Sequence, residues 1–245
     1  MGSPLVERLP RDGRWITTVD NRESVVDCTE RKARLSDTAP PDEYAYTDVR
    51  SNHSHAYLCP SVAEFLRSLP AGSRILDLGC GNGSLIAEFA DWAFELHGVD
   101  SSRSGILNAT QQWPSVTFHL ADVTAKMPPD LPTGHFDAIL STEVIEHIFE
   151  PRKLVANAFH LLKPGGKILI TTPYHGYWKN LALALTGRMD KHFTALWDFG
   201  HIKFWSRKTL TTLLRDGGFR NLRFSAVGRL PGLWKSMIIQ AQKPA

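Results

Sequence analysis

The sequence predicts an α/β fold, in which a mostly parallel sheet carries helices on both faces. Apolar strand-like runs alternate with helix-like apolar periods, and the connections between them are short. A glycine-rich turn follows the first strand-like run of this series. The 245 residues suffice for one such domain with a sizeable core and an extension. In a doubly wound sheet the ligand lies at the carboxyl ends of the strands, so we expect the functional site at that edge.

The chain divides into a polar extension, residues 1–45, and a folded domain, residues 46–245. The extension has many charges and no clear apolar period, and we interpret it as loosely ordered and as a candidate lid over the site. The predicted strands of the domain cover 74–78, 96–99, 116–120, 136–141, 167–172, 221–227 and 234–240. The predicted helices cover 55–69, 84–92, 104–112, 151–162, 180–185 and 206–216.

Three glycines alternate in the turn after the first domain strand. Gly79, Gly81 and Gly83 allow a tight turn and a close approach of a ligand to backbone N–H groups. Their spacing is neither the GxGxxG of dinucleotide folds nor the GK[ST] ending of a phosphate-binding P-loop. Asp100 ends the next strand, where an acid in a doubly wound fold takes both ribose hydroxyls; the alternative is an aspartate that caps the following helix. Together these features indicate a site for a nucleotide cofactor.

Four segments resemble the successive motifs of class I S-adenosylmethionine-dependent methyltransferases. They are residues 77–83, residue Asp100, residues 121–123 and residues 162–166, within a resemblance that runs in order over roughly residues 50 to 242. The resemblance implies a Rossmann-like sheet of seven strands that closes with an antiparallel C-terminal hairpin. It also implies S-adenosylmethionine as cofactor. The resemblance fades after Pro173, and we interpret residues 174–200 as an acceptor-side insertion.

The same resemblance assigns roles to individual residues. Asp77 is implied to contact the methionine ammonium, Asp100 the ribose hydroxyls, and Asp122 with the Val123 backbone the adenine amine. The implied cofactor set is Asp77, Gly79, Cys80, Gly81, Gly83, Asp100, Ser101, Asp122, Val123 and Thr142. Methyl transfer from a sulfonium is an in-line displacement, so alignment of the reactants matters most, and a general base is needed only for an acceptor that arrives protonated.

Just past the fourth predicted strand, the sequence Glu-Val-Ile-Glu-His offers carboxylate and imidazole ligands. Glu143, Glu146 and His147 are spaced i, i+3 and i+4, which predicts that they share one helix face and converge. Such a set suits magnesium, manganese or zinc. The pattern resembles the ubiquinone-biosynthesis O-methyltransferases, and also the small-RNA ribose O-methyltransferases, in which a later histidine completes a metal site. The stretch His-Ile-Lys-Phe-Trp is similar to that later motif, so its His201 is the candidate fourth ligand.

The same residues can act without a metal. Family members that need no metal carry a related Glu-His pair after this strand, which shapes the cofactor pocket or acts as a base. In that interpretation His147 or His201 is the base, and Glu146 completes the predicted catalytic set. Adjacent carboxylates are expected to raise the pKa of a histidine here, which weakens it as a base at neutral pH and favours the metal.

Charge is distributed unevenly along the chain, whose net charge is +3. Residues 151–245 carry 16 Lys and Arg against 3 Asp and Glu, whereas residues 51–150 carry 4 against 12. A positive field on the acceptor side favours an anionic acceptor, an acidic membrane surface or nucleic acid; the alternative is a solvated basic surface. The aromatic, basic insertion at 174–200 fits a lid that stacks on a planar ring, a helix that contacts a membrane peripherally, stacked bases of RNA, or aromatics that pack on the domain's own edge.

The function expected from these features is S-adenosylmethionine-dependent O-methylation of a small-molecule or lipid-like acceptor. The alternatives are a metal-dependent ribose O-methyltransferase acting on RNA, an N-methyltransferase acting on a metabolite, and a non-enzymatic scaffold of the same fold. No apolar run is long enough to span a membrane, and no N-terminal segment resembles a signal peptide. Cys28, Cys59 and Cys80 fit neither a disulfide framework nor a zinc site, so a reducing, cytoplasmic location is expected.

Overall fold

The chain contains two compact units, Met1–Asp42 and Glu43–Ala245. A computed structural model describes residues 6–8, 15–19, 22–26, 44–46, 54–193 and 195–245. Each unit has a sheet of its own. Cys28, one of the three cysteines, lies outside the described residues, and Cys59 and Cys80 are free thiols.

The first unit contains a three-stranded antiparallel sheet in the order β1-β2-β3. Its strands are β1 (Val6–Arg8), β2 (Trp15–Val19) and β3 (Arg22–Val26). In the register of β2 with β3, Trp15 is opposite Val26 and Ile16 is opposite Val25. Aromatic and β-branched residues favour such paired positions. The sequence alone predicts no strand here, because each apolar run is only two residues long.

The second unit has a seven-stranded sheet with helices packed on it. Its strands are β4 (Arg74–Leu78), β5 (Glu95–Asp100), β6 (Thr117–Leu120), β7 (Phe136–Thr142), β8 (Leu162–Pro173), β9 (Arg220–Val227) and β10 (Ser236–Gln242). Its helices are α1 (His55–Arg67), α2 (Ser84–Ala87), α3 (Arg103–Gln112), α4 (Pro151–Leu161), α5 (Tyr177–Leu185), α6 (Met189–Phe193) and α7 (Arg207–Asp216). The predicted fold class, an α/β sheet of seven strands, is confirmed.

The strand order of this sheet is β6-β5-β4-β7-β8-β10-β9. Strands β4 to β8 are parallel to one another, whereas β10 is antiparallel to both β8 and β9. The predicted antiparallel C-terminal hairpin is therefore confirmed. The chain proceeds from β4 outward to β6, then returns to the other side of β4 with β7. In open α/β sheets, ligands bind where the strand order reverses in this way, at the carboxyl ends of the strands.

The sheet is buried between two apolar layers. On β4, Ile75 belongs to the layer that contains buried residues of α1 and α2, whereas Leu76 belongs to the layer that contains buried residues of α4 and α7. On β8, Leu169 and Ile170 divide between the same two layers. Because both faces of the central strands are covered, apolar residues occupy consecutive positions in them, as in Ile75-Leu76 and Leu169-Ile170.

Two predicted element boundaries are wrong in informative ways. The helix expected over 84–92 is α-helical only over Ser84–Ala87, and the chain then continues in tighter turns, with the Glu88 N–H donating to the Leu85 carbonyl at 3.2 Å. Strand β8 begins five residues earlier than expected, because Leu162 already pairs with Phe136 before the register shifts. Among the helices in the described residues, none combines the length and the apolar character needed to cross a bilayer.

Candidate functional site

The glycine turn between β4 and α2 lies against the end of β5. The N–H groups of Gly79 and Cys80 both donate to the Val99 carbonyl, at 2.8 and 3.0 Å. Gly79, Gly81 and Gly83 have φ angles of 92°, 56° and 72°. This left-handed region has little steric cost only for glycine. The backbone of the turn therefore requires the three glycines that the sequence singles out.

Asp100, at the end of β5, ties this turn to α3. Its Oδ2 accepts a hydrogen bond from the Gly81 N–H, and its Oδ1 accepts one from the Ser102 N–H, both at 2.8 Å. Ser102 in turn caps α3, because its hydroxyl accepts from the Gly105 N–H at 3.1 Å. The Asp100 carboxylate thus lies beside the glycine turn, where a ribose-binding acid is expected, and it also holds two backbone segments together.

Asp77 is a buried acid at the end of β4. The residue is 1% exposed, and its Oδ1 has no hydrogen-bond partner among the described residues. Burial, reinforced by the negative charge of Asp100, raises the pKa of Asp77 to about 7. An unpaired buried carboxylate is costly. A ligand that brought a cationic donor to Asp77 would remove this cost.

The predicted adenine-side residues follow β6, the strand beside β5. Asp122 is exposed, and its Oδ1 accepts from the Thr124 N–H at 2.7 Å and from the Thr124 hydroxyl at 2.8 Å. Val123 is buried. Both residues lie at the carboxyl edge of the sheet, like the glycine turn. The other predicted cofactor residues also lie at strand ends on this edge: Cys80 (buried), Ser101 (exposed) and Thr142 (half-buried).

Sequence reasoning missed a tyrosine that packs on the glycine turn. A Cβ atom placed on Gly81 would collide with the Tyr46 hydroxyl. The Ser102 hydroxyl donates to the Tyr44 carbonyl at 2.7 Å, and the Asn108 side chain donates to the Tyr46 carbonyl at 3.0 Å. Burial and the charge of Asp100 raise the pKa of the Tyr46 hydroxyl. No local pattern marks this contact, because Tyr46 precedes the turn by some thirty residues.

Residues 143–147, which follow β7, form a turn and not the predicted helix. Glu143 has a φ of 55°, which is uncommon for a residue with a Cβ atom. The predicted helical face is therefore wrong. Val144 packs on the glycine turn, since a Cβ atom on Gly79 would collide with its side chain. This contact places residues 143–147 directly beside the candidate cofactor turn.

The Glu143 carboxylate is engaged by other strands. Its Oε1 accepts from the Thr171 hydroxyl at 2.8 Å, and its Oε2 accepts from the Ser236 hydroxyl at 3.0 Å. Burial raises the pKa of Glu143 to about 7, although these two hydrogen bonds oppose the rise. Glu143 therefore joins the turn to β8 and β10. It is not part of the cluster that the other three predicted metal ligands form.

Glu146, His147 and His201 do converge. Each offers a ligand atom, and these atoms lie within 4.8 Å of one another. Glu146 is 1% exposed, and neither of its carboxylate oxygens has a hydrogen-bond partner among the described residues. The His201 Nε2 lies 4.0 Å from the Glu146 Oε1. The two imidazole rings are 4.9 Å apart between centroids. We call these three residues the Glu-His-His cluster.

Backbone hydrogen bonds bring His201 to the Glu-His-His cluster from 55 positions away along the chain. The N–H groups of Ile202 and Lys203 both donate to the Glu146 carbonyl, at 2.9 and 3.0 Å. The His147 Nδ1 lies 2.8 Å from the Phe199 carbonyl oxygen, so Nδ1 carries the proton and donates it. The Nε2 of His147 then keeps its lone pair. Histidines that ligate metals are usually held in this way.

The electrostatics of the cluster differ from the expectation that carboxylates raise a histidine pKa. Burial lowers the pKa of His201 to about 4, and His147, His192 and Lys179 lower it further. Burial also raises the pKa of Glu146 well above its ordinary value, and the charge of Glu143 adds to the rise. For His201 the expectation is wrong, because loss of water and nearby imidazole and ammonium groups lower its pKa and no carboxylate raises it. His201 is therefore neutral at neutral pH.

The segment between β8 and α7 has a polar inner side and an apolar outer side. Lys179 of α5 is 7% exposed, whereas the neighbouring Trp178 is 67% exposed. Lys179 donates to the Tyr174 carbonyl at 2.8 Å. The ring of His175 stacks on Phe193, with centroids 5.9 Å apart. The aromatic residues of this segment therefore divide between internal packing and the outer surface.

The fold and this edge of the sheet define a class of protein. A sheet in the order β6-β5-β4-β7-β8-β10-β9, with a glycine turn after β4 and an acid at the end of β5, is that of class I S-adenosylmethionine-dependent methyltransferases. Residues 50–223 match the family described as Methyltransferase domain. The chain belongs to this family.

Curated relatives include enzymes of quinone synthesis. The chain is 32% identical over 121 residues to the ubiquinone biosynthesis O-methyltransferase of Bradyrhizobium sp. (strain ORS 278), which covers 48% of this chain and 46% of that protein. It is 30% identical over 182 residues to an uncharacterized 37.1 kDa protein in transposon TN4556 of Streptomyces fradiae, which covers 69% of this chain and 52% of that protein. The chain thus spans about half the length of the curated relatives it matches.

Solved structures share the fold at low identity. The [4+2]-cyclase SpnF superposes with a TM-score of 0.60 at 19% identity, covering 82% of this chain and 86% of that chain. Phosphoethanolamine N-methyltransferase 2 of Haemonchus contortus, in complex with phosphomonomethylethanolamine and S-adenosylhomocysteine, superposes with a TM-score of 0.57 at 20% identity, covering 76% of this chain and 52% of that chain. These likenesses concern the fold alone, and the presence of a cyclase among them illustrates that the fold does not determine the reaction.

Proposed function

We propose that this protein is an S-adenosylmethionine-dependent methyltransferase that methylates an oxygen of a small-molecule or lipid-like acceptor. The observation that carries the proposal is the Glu-His-His cluster beside the glycine turn. A hydroxyl acceptor arrives protonated and needs a base or a Lewis acid, whereas N-methylation of a metabolite needs less assistance. The O-methyltransferases among the curated relatives support an oxygen acceptor.

The cofactor site of the proposal is the edge formed by the glycine turn and the ends of β4, β5 and β6. When bound, S-adenosylmethionine supplies an activated methyl group on a sulfonium. Asp77 is positioned to accept from a cationic amine, which would offset its buried charge. Asp100 faces the turn and can accept from ribose hydroxyls. Asp122 and the Val123 backbone remain the proposed adenine contacts.

The protein's part in the reaction is to align the acceptor and to take its proton. His201 is neutral at neutral pH, so its imidazole can accept a proton from an acceptor hydroxyl. The Nδ1–H of His147 donates to the Phe199 carbonyl, which leaves the Nε2 of His147 as a second proton acceptor. Glu146 is buried between the two histidines and can stabilise either as an imidazolium. Residues 174–200 are proposed as the lid that excludes water from this step.

The same cluster fits a divalent metal, which would lower the pKa of an acceptor hydroxyl. The fit rests on the two unpartnered oxygens of Glu146 and on the orientation of His147, whose outer nitrogen is already hydrogen-bonded. Because Glu143 is engaged elsewhere, the set is one carboxylate and two imidazoles. Imidazole-rich sets suit zinc better than magnesium, which prefers oxygen ligands.

The test is transfer of radiolabelled methyl from S-adenosylmethionine to a cell extract, sorted into organic-soluble, small polar, RNA and protein fractions. We expect label in the organic-soluble or small polar fraction. Glu146→Gln should reduce transfer at least about 100-fold if Glu146 assists deprotonation. The matched control is Glu150→Gln, an exposed glutamate four residues away. Absence of S-adenosylhomocysteine binding would instead favour a non-enzymatic scaffold.

A second candidate function is metal-dependent ribose O-methylation of RNA. The specific observation in its favour is that His201 joins Glu146 and His147, as in the motif that this function uses. Arg220 and Arg223 on β9 add exposed positive charge. The same assay distinguishes the candidates: label in RNA that EDTA abolishes supports this function, and label in the organic-soluble fraction supports O-methylation of a smaller acceptor.

A further inference from the structure

The inner side of the segment between β8 and α7 concentrates unsatisfied polar atoms. Nine buried side-chain atoms lack a hydrogen-bond partner among the described residues, and six of them belong to this region. They are Oε1 and Oε2 of Glu146, Oγ1 of Thr172, Nδ1 of His175, Oδ1 of Asn180 and Nε2 of His192. Buried polar atoms in folded proteins are nearly always paired. Thr172 faces Glu146, and Asn180 faces His175, so the members of each pair can satisfy one another. The Nε2 of His192 remains as a buried polar atom that a ligand could satisfy.

A lysine points into this region from a helix whose outer side is largely apolar. Lys179 is the buried residue of α5, whereas Tyr177 and Leu185 of the same helix are 72% and 79% exposed. A lysine ammonium has three donors, and the structure pairs one of them, with the Tyr174 carbonyl. Burial lowers the pKa values of His175 and His192, and the charge of Lys179 lowers both further. Helix α5 therefore turns its polar side, with Lys179, toward the interior and its apolar side toward the surface.

The positive charge of Lys179 has no close counter-ion. Burial, and then the charge of Arg229, lowers the pKa of Lys179 to about 8, while Glu143 opposes this effect. Within the described residues, no carboxylate lies within 4.0 Å of the Lys179 ammonium or the Arg229 guanidinium. Glu143 is already held by Thr171 and Ser236. A buried ammonium that has a carbonyl but no carboxylate beside it is costly, so an anion bound next to Lys179 would stabilise it.

We propose that the acceptor carries an oxyanion, a carboxylate or a phosphate, which binds between Lys179 and Arg229. This inference rests on the proposed function and names the chemical class of its acceptor. His192 supplies a further N–H donor to the oxyanion. The methyl-accepting hydroxyl occupies the other end of the site, at the Glu-His-His cluster.

The two ends of the proposed acceptor site bind different chemical groups, and this difference fixes the orientation of the acceptor. The lid end presents an ammonium, a guanidinium and neutral imidazoles. Burial lowers the pKa of His175 to about 4, so its ring is uncharged. The cluster end presents a carboxylate and imidazole lone pairs, which accept from a hydroxyl. An acceptor with a hydroxyl at one end and an oxyanion at the other satisfies both.

The experiment compares two probes that differ only in charge. Binding of 3,4-dihydroxybenzoate and of its neutral methyl ester is measured by calorimetry, with inorganic phosphate as a third probe that separates phosphate from carboxylate recognition. Titrations use the full chain, both free and saturated with S-adenosylhomocysteine. We expect the benzoate or phosphate to bind, and the benzoate to bind at least about tenfold tighter than the ester.

Three variants assign the binding to the proposed residues. Lys179→Met keeps the length of the side chain and should reduce the preference for the benzoate about tenfold or more. Arg229→Gln alters an exposed residue, so its expected loss of preference does not depend on refolding of the interior. The control is Lys191→Met, which removes an exposed charge from α6 in the same segment. It should leave the preference unchanged.

Several results would overturn the anion site. These are failure of both anions to bind at millimolar concentration, equal binding of acid and ester, or an unchanged preference in both Lys179→Met and Arg229→Gln. The proposed function fails if S-adenosylhomocysteine does not bind or if no methyl transfer is found. The anion titrations of the free chain depend on neither result, so the two failures can be told apart.

Discussion

Replacement of Asp77 by asparagine is expected to stabilise the ligand-free protein at alkaline pH. Burial raises the Asp77 pKa from an ordinary 3.8 to about 7. The folded protein therefore keeps a proton that the unfolded chain releases as pH rises between these values, so stability falls with rising pH across this window. The whole rise corresponds to about 4 kcal/mol. Asparagine has nearly the same shape as aspartate and no charge, so Asp77→Asn should not lose stability as the pH rises.

The assay is thermal unfolding of both proteins without ligand, from pH 4 to pH 8. At pH 4 the two proteins should have similar stability, because Asp77 is then neutral in the folded state. At pH 8 the variant should be more stable by up to about 4 kcal/mol, or roughly 8–16 °C in Tm for a chain of this size. The control is Asp91→Asn, an exposed aspartate after α2 that should change stability by less than about 0.5 kcal/mol.

The same variant tests the proposed cofactor contact. If the ammonium of S-adenosylhomocysteine pairs with Asp77, binding at pH 6 should release close to one proton, since the acid is largely protonated beforehand. Calorimetry in two buffers of different ionisation enthalpy measures this release. Asp77→Asn should bind at least about tenfold more weakly and release no proton. A variant less stable than the wild type at pH 8 would refute the reasoning, because it would mean that the carboxylate has partners in the folded protein.

Two further substitutions test the glycine turn, each by thermal unfolding and S-adenosylhomocysteine titration. Asp100→Ala removes the acceptor of the Gly81 and Ser102 N–H groups, so it should lower stability by about 2–4 kcal/mol as well as weaken binding. Unchanged stability would mean that these two bonds contribute little. Gly81→Ala forces a Cβ atom against Tyr46 at a φ of 56°, and it should reduce affinity more than Gly134→Ala, which has a φ of 66° but open space around it. Equal effects would exclude a role for the Tyr46 contact.

Much of the fold was predictable because its signals are local. The apolar run before Gly79 must be buried, and alternating glycines permit the left-handed angles that the turn adopts. Asp100 was placed beside the turn by counting along a βαβ unit. The three strands of the first unit were not predicted, because their apolar runs are too short to show a period. The roles of the cofactor residues stay predictions, because each role is a contact with S-adenosylmethionine and not a contact within the protein.

The Glu-His-His cluster shows where local reasoning failed. The spacing of Glu143, Glu146 and His147 suggested one helical face, yet Glu143 adopts a left-handed angle and turns to Thr171 and Ser236. These partners lie 28 and 93 positions further along the chain, so no window of sequence contains them. His201 was found by motif, but only the hydrogen bonds from Ile202 and Lys203 to Glu146 bring it into place.

The sequence by itself determined the order of the sheet strands in the second unit, the position of the glycine turn and most of the residues that lie at the carboxyl edge. Backbone preference and apolar patterning act over a few residues, so both can be read from the chain. Only the tertiary structure decided that the pKa of Glu146 is raised and that of His201 lowered. It also decided that Glu143 bonds to Thr171 and Ser236 and that Lys179 faces inward. These properties depend on burial, and burial depends on which distant segments exclude water from each group.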